Sequence, residues 1–178
     1  MIRLTARRNA VTIVLWVLLI GWMALIFFFS SQNAASSSAV SGTTIRTVAT
    51  AVSPSYREMP PLKQDQVVTA YQNLARKSAH AILFTILGIL SAAAISRHIG
   101  KAVPLIVIAE LVSILYACSD ELHQHFSAGR SPQITDVLLD SAGALCGILL
   151  LVLFARGRRF LKGRRAKKRL VSAETAEE

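Results

Sequence analysis

Residues that can carry acid–base chemistry are concentrated in one short stretch of this sequence. The stretch from Asp120 to Asp140 contains four carboxylates, two histidines and one arginine, and His80 precedes it. A histidine beside a carboxylate can act as a general acid or base, and an arginine can hold a phosphate or carboxylate group. The catalytic candidates are His80, Asp120, Glu121 and His123. The candidates for ligand binding are Lys77, Gln124, Arg130, Asp136 and Asp140.

The same residue types allow two other interpretations. In a structural polar network, Lys77 and Arg130 would neutralise the carboxylates and only hold a loop in place. A metal site is the other alternative, since histidine and carboxylate are ligands that Zn²⁺ and Mn²⁺ accept. The chain has no His-Glu-x-x-His motif, however, and its single His-x-His pair is a weak signal. The sequence therefore predicts no metal, and it assigns no cofactor.

Long apolar runs are the elements that must position these residues. Four runs are long enough to cross the roughly 30 Å hydrocarbon core of a bilayer as helices. They cover residues 10–29, 79–96, 102–118 and 134–154. Strands of a membrane barrel would be about ten residues long and would alternate in polarity, which these runs do not. We therefore predict an all-α integral membrane protein with four transmembrane helices, in a membrane domain covering residues 10–155.

The distribution of lysine and arginine predicts the orientation of these helices. Fourteen of the 20 basic residues fall on the side that holds both termini, which marks that side as cytoplasmic. Residues 1–9 are then a cytoplasmic N-terminus, and residues 156–178 are a basic cytoplasmic tail. The candidate residues lie on the opposite, extracytoplasmic side. Because nearly half of the basic residues lie in the tail, the net charge of +10 indicates contact with an anionic leaflet and not with nucleic acid.

The first apolar run has a charged start, as a cleavable signal peptide would, but it is longer than a usual signal core. We therefore expect a retained helix followed by an extracytoplasmic loop. Between Pro61 and His80 a weak helical periodicity predicts an interfacial amphipathic helix that leads into the second span. For residues 36–55, helix and unstructured loop are equally compatible with the Ser-rich composition.

The spacing within the apolar runs predicts which faces turn inward. Asp136 and Asp140 are four residues apart and share one face of the fourth helix. Gly143 or Ala144, and then Gly147, continue that face and would let a neighbouring helix approach closely. The two aspartates should therefore point into the bundle. The third helix carries Glu110, the deepest charge, which must be protonated or paired inside the bundle.

Three segments carry a resemblance to a known family. The first runs from Ser113 to Arg130, contains Asp-Glu-Leu-His-Gln-His-Phe, and is followed by Asp-Val-Leu-Leu-Asp-Ser-Ala-Gly from Asp136. The second is Arg-Lys-Ser-Ala-His, which ends at His80, and the third is Phe-Phe-Ser-Ser-Gln, which ends at Gln32. With these segments the chain resembles the VanZ-like family over nearly its whole length, from the first helix to the fourth.

The resemblance implies four-helix topology in a bacterial cell membrane and a role at the cell envelope. The family is named for a protein associated with low-level teicoplanin resistance, which points to glycopeptide susceptibility. The sequence departs from the family pattern at two places. Leu83-Phe84 stands where members often have Glu-Tyr, and Asp140 stands where they often have asparagine. A mechanism that needs the missing glutamate could use Asp140 as the replacement carboxylate.

Three classes of function remain open from the sequence. The protein could be an enzyme that modifies a lipid or a lipid-linked envelope precursor. It could instead be an accessory protein that binds membrane lipids, a lipid-linked precursor or a glycopeptide-type ligand without turnover. A proton or ion path through Glu110 is the weakest of the three, because the first and second helices carry no charged stripe.

Overall fold

The chain is almost entirely helical in the parts that the structure describes. The computed structural model describes the backbone of residues 2–32, 34–126 and 133–177, and the side chains of residues 9–32, 38–124, 126 and 133–164. The helices are α1 (Ile2–Ser30), α2 (Ala34–Val52), α3 (Pro54–Arg57), α4 (Pro61–Ile95), α5 (Ala102–His125) and α6 (Ile134–Glu177). No strand occurs in these ranges, so the predicted all-α class is confirmed.

Four of the helices are long and apolar enough to cross a membrane, which confirms the predicted number. Their qualifying segments are Asn9–Ser30, Pro61–Ile95, Ala102–Gln124 and Ile134–Arg164. Each extends beyond the apolar run seen in the sequence, because a helix continues past the last apolar residue wherever the backbone bonds are not interrupted. α6 in particular runs without a break from the fourth span into the basic tail.

The predicted loop after the first span is instead mostly helical. α2 covers the Ser-rich segment, which resolves the open prediction for residues 36–55 in favour of a helix. The hydroxyls of Thr43, Thr44 and Thr47 donate to backbone carbonyls one turn earlier, which satisfies their polar groups inside the helix. Contact with α4 stabilises this helix further, since the Gln72 side-chain amide on α4 donates to the Ser38 carbonyl at 3.0 Å.

The helix predicted between Pro61 and His80 is present, but it is not a separate element. It is the first half of α4, which continues unbroken to Ile95. At 1.5 Å per residue, α4 is about 52 Å long, whereas the hydrocarbon core is roughly 30 Å thick. The first half of α4 therefore continues past the span and packs alongside α2. Pro61 occupies the first position of the helix, where proline is well tolerated.

Small residues bring α4 and α6 into backbone contact. A Cβ atom added at Gly88 would lie 2.1 Å from the Ala144 carbonyl oxygen, and one at Gly147 would lie 2.0 Å from the Thr85 carbonyl oxygen. The predicted close approach through the glycines of the fourth helix is therefore correct, and its partner is α4. This contact sets the distance between α4 and α6, and therefore how closely the polar side chains on the two helices can approach each other.

Candidate functional site

Three of the predicted residues meet inside the bundle, each from a different helix. His80 comes from α4, Asp120 from the last turns of α5, and Asp140 from the second turn of α6. One ligand-type atom from each lies within 4.8 Å of those from the other two. We call these three residues the trio. The end of the bundle at which α1 and α5 end and α6 begins is called the site end.

The glycine contacts explain why the trio forms. A Cβ atom at Gly143 would lie 2.6 Å from the Ala81 carbonyl oxygen, so α4 and α6 nearly touch one residue beyond His80. At this separation His80 Nδ1 lies 3.5 Å from Asp140 Oδ2. The His80 ring also stacks against Phe84, with 6.4 Å between ring centroids, which limits its rotation.

Both carboxylates of the trio are buried. Asp120 is 2% exposed and Asp140 is 5% exposed. Oδ2 of Asp120 accepts hydrogen bonds from the Ser30 hydroxyl at 2.9 Å and from the Gln124 side-chain amide at 2.8 Å. The other oxygen, Oδ1, of each aspartate is buried without a hydrogen-bond partner among the described residues. A buried carboxylate with an unsatisfied oxygen is costly, so this arrangement needs a further partner to be stable.

A second pair of charges lies at the rim of the trio. Lys77 Nζ contacts Asp136 Oδ1 at 2.5 Å, and it also lies 3.4 Å from the Gln133 side-chain oxygen. Both members of the ion pair are partly exposed, at 33% and 26% of their side chains. The two aspartates that share a face of α6 therefore have different partners, since Asp136 pairs with lysine and Asp140 with histidine.

Two cavities meet at this place and differ in character. A small polar cavity of ≈ 20 Å³ is lined by Arg76, Lys77, His80, Gln124, Asp136, Leu139 and Asp140. A mainly apolar groove of ≈ 390 Å³ is lined by Phe29, Gln32, Val40, Ser41, Arg76, Ala79, His80, Ile82 and Leu83. Arg76 and His80 line both, so the polar cavity and the groove are adjacent. The groove runs between α1, α2 and α4.

The remaining candidate residues lie away from the trio or outside the described residues. The ring of His123 stacks on Phe27 of α1, with 4.2 Å between centroids, and its Nε2 atom is buried without a hydrogen-bond partner in the described ranges. Arg130 falls within residues 127–132, outside the described residues. The Oε2 atom of Glu110 is likewise buried with no hydrogen-bond partner in the part of the chain described. Of the two predicted alternatives, protonated or paired, pairing of this atom is therefore not seen.

Two residues at the site were not among the candidates from the sequence. Ser30 is fully buried and binds Asp120, and Arg76 lines both cavities. Arg76 lies one helical turn before His80, so their shared face of α4 could have been read from the spacing. Ser30 is the last residue of α1 and directly follows the first apolar run, but nothing in its local sequence indicates the partner on α5.

Glu121 contacts the start of α6 and not the trio. Its carboxylate accepts a hydrogen bond from the backbone N–H of Gln133, immediately before α6 begins, and it is not part of the trio. We expect Glu121→Ala to lower the free energy of unfolding by about 1 kcal/mol, as loss of a helix cap does. The affinity for a ligand bound at the trio should stay within about twofold of wild type. Thermal unfolding and a binding titration of the same preparation check this. Loss of binding at unchanged stability would contradict it.

Comparison with known proteins identifies the family. The family model VanZ/LLP1 matches residues 15–155, which is more than half of the chain. The chain belongs to the VanZ/LLP1 family. Comparisons with curated proteins and with solved structures found no match.

The two departures from the family pattern have clear positions in the structure. Leu83 lines the apolar groove, and its carbonyl accepts a hydrogen bond from the Trp22 indole at 2.9 Å. Phe84 is fully buried beside the His80 ring. Asp140 lies against the same histidine. In this member of the VanZ/LLP1 family, the carboxylate beside His80 therefore comes from α6.

Proposed function

We propose that this protein binds a phosphate-bearing amphiphile of the cell envelope, a lipid or a lipid-linked precursor, at the site end of its helix bundle. The single observation that carries this proposal is the junction of two cavities. The apolar groove and the polar cavity share Arg76 and His80, so one molecule could place a hydrocarbon chain in the groove and a charged headgroup at the edge of the polar cavity.

The charges at the junction suit an anionic headgroup. Lys77 is engaged by Asp136, whereas Arg76 lies where both cavities open. A guanidinium can bind two phosphate oxygens at once, which gives both affinity and orientation. His80 and Asp140, 3.5 Å apart, would then face the headgroup from the same cavity.

The charge distribution supports an extracytoplasmic position for the site. The opposite end of the bundle has a larger cavity whose lining includes Arg97, Arg156, Arg158 and Arg159. Under the positive-inside rule this basic end faces the cytoplasm. Both termini would then be cytoplasmic, in the cell membrane of a bacterium, and the site would face the compartment where envelope precursors are used. A change in glycopeptide susceptibility would follow if the ligand is such a precursor.

A second candidate function is a purely structural or accessory one. The Lys77–Asp136 pair and the hydrogen bond from Ser30 to Asp120 each join two helices, and they could serve only to hold the bundle together. In that case neither cavity would bind a headgroup. The two candidates differ in whether a phosphate on the ligand changes its affinity.

The test compares two probes that differ only in the headgroup. Purified full-length protein in lipid nanodiscs is titrated with a polyprenyl phosphate and with the polyprenol of equal chain length. We expect the phosphate to bind more tightly, and we expect Arg76→Met to weaken its binding by about tenfold or more, while Arg97→Met at the opposite end leaves it unchanged. Equal affinity for phosphate and alcohol would contradict the proposal and favour the structural role.

Profiles of envelope lipids and cell-wall precursors test the same proposal in cells. A strain that lacks the gene should accumulate or lose one phosphate-bearing species. Restoring wild-type protein should reverse the change, and restoring Arg76→Met at equal membrane abundance should not. Identical profiles in all strains would argue against action on the envelope.

A further inference from the structure

We propose that the trio of His80, Asp120 and Asp140 binds a divalent first-row transition metal ion, such as Mn²⁺ or Zn²⁺. The inference deepens the proposed function and rests on it for the role of the ion, which is to hold the phosphate of the ligand. The binding of the ion itself rests on the geometry of the trio. It goes against the prediction from the sequence, which assigned no metal.

The donor set and its spacing fit such an ion. One imidazole nitrogen and two carboxylate oxygens are ligands that both Zn²⁺ and Mn²⁺ accept. With bonds of about 2.1 Å, donors around one ion lie about 3 to 4 Å apart. The donor atoms of the trio lie within 4.8 Å of one another, so small side-chain rotations separate the present arrangement from a bound one.

The burial of the carboxylates supplies an independent argument. Both aspartates are more than nine-tenths buried, and each has one buried oxygen without a hydrogen-bond partner among the described residues. Two like charges at this separation in a medium of low polarity repel each other strongly. Lys77, which lines the adjacent polar cavity, is already paired with Asp136. A divalent cation between the aspartates would satisfy both oxygens and neutralise both charges.

The surroundings of the trio hold its side chains in place. Ser30 and Gln124 both donate to Oδ2 of Asp120, and Oδ1 remains without a hydrogen-bond partner among the described residues. The stacking of His80 on Phe84 orients the imidazole in the same way. Hydrogen bonds and packing of this kind fix metal ligands in proteins and raise their affinity. The adjacent polar cavity of ≈ 20 Å³ is large enough for one water molecule or ion.

Three protein ligands leave coordination positions open. Sites with three protein ligands are typical of metals that bind a further group, whereas structural sites are closed. The polar cavity lies beside the trio and includes Arg76, so a phosphate oxygen of the amphiphile could reach the ion while the guanidinium binds the others. The metal would then select a phosphate or diphosphate headgroup over a neutral one.

Metal uptake by the purified full-length protein tests the inference. The protein in detergent is stripped of metal with a chelator and dialysed. It is then titrated with Mn²⁺, and bound Mn²⁺ is measured by electron paramagnetic resonance. A second titration uses Zn²⁺, and bound Zn²⁺ is measured by elemental analysis. We expect one ion per chain. Asp120→Asn, Asp140→Asn and His80→Gln should each weaken binding by about 100-fold or more.

The matched control is Asp136→Asn. Asp136 lies on the same face of α6, one turn before Asp140, and lines the same cavity, but it pairs with Lys77 and is not in the trio. Its substitution should leave metal affinity within about threefold of wild type. No uptake by the wild-type chain, or equal loss in Asp136→Asn and Asp120→Asn, would overturn the inference. Metal uptake by the wild-type chain can be measured even if a variant does not fold.

The metal and the amphiphile can be separated experimentally. Titration with a polyprenyl phosphate is repeated in chelator and in Mn²⁺. Phosphate binding that is unchanged by chelator, together with no metal uptake, would overturn the metal site and leave the proposed function standing. Metal uptake without preference for the phosphate would support the site and contradict the proposed function.

Discussion

Gly147→Leu should leave little folded protein in the membrane, whereas Gly157→Leu should have almost no effect. At Gly147 a Cβ atom alone would lie 2.0 Å from the Thr85 carbonyl oxygen, and backbone cannot move aside as a flexible side chain can. Overpacking of a tight contact costs typically about 1–3 kcal/mol and occasionally more. Leucine adds three further carbons to the same clash, so we expect α4 and α6 to separate.

Gly157 is a matched control because it lies in the same helix, α6, and has nothing within 4 Å of the added Cβ. Membrane abundance and the apparent melting temperature in detergent are the measurements. The milder Gly147→Ala should already lower the melting temperature, while Gly157→Ala should hold or raise it, since alanine favours a helix over glycine by about 1 kcal/mol. Equal tolerance at the two glycines would contradict the close packing described for α4 and α6.

Asp120→Asn should raise the melting temperature of metal-free protein while it abolishes binding of the metal. The buried carboxylate of Asp120 repels that of Asp140 and has an unsatisfied oxygen. An amide keeps an acceptor for Ser30 and Gln124 and replaces the unsatisfied oxygen with a donor. A gain of about 1 kcal/mol would raise the melting temperature by roughly 2–4 °C in a chain of this size.

This result would distinguish a functional site from a structural network. Residues kept for function are often unfavourable for stability, so their replacement stabilises the protein and removes activity. Asp136→Asn provides the contrast, because it leaves Lys77 without its carboxylate and should lower the melting temperature. A lower melting temperature for Asp120→Asn than for Asp136→Asn, in the presence of chelator, would indicate that Asp120 only holds the bundle together.

Some assignments could be made residue by residue from the sequence. Asp136 and Asp140 were placed on one inward face by their spacing, and the glycines that follow were expected to meet a neighbouring helix. The structure shows both, with α4 as the neighbour. These inferences succeed because side chains four residues apart in a helix share a face, whatever the rest of the chain does.

Other features could not be derived from the sequence. The sequence makes Glu121 a catalytic candidate, but its spacing does not indicate the hydrogen bond that its carboxylate accepts from the backbone before α6. The Ser-rich segment after the first span could not be assigned from its composition, because its helix depends on packing against α4. A metal site such as the one proposed for the trio cannot be found by a motif search, because ligands from three helices have no fixed spacing in the sequence.

The sequence by itself determined that this is a four-helix membrane protein of the VanZ/LLP1 family. In lipid, each apolar run must satisfy its own backbone groups and therefore forms a helix without help from the other runs. Only the tertiary structure decided that His80, Asp120 and Asp140 meet, with Ser30 beside them. Their meeting depends on how closely α4 and α6 approach, and that distance is set by contacts between residues more than 50 positions apart, such as Gly88 and Ala144.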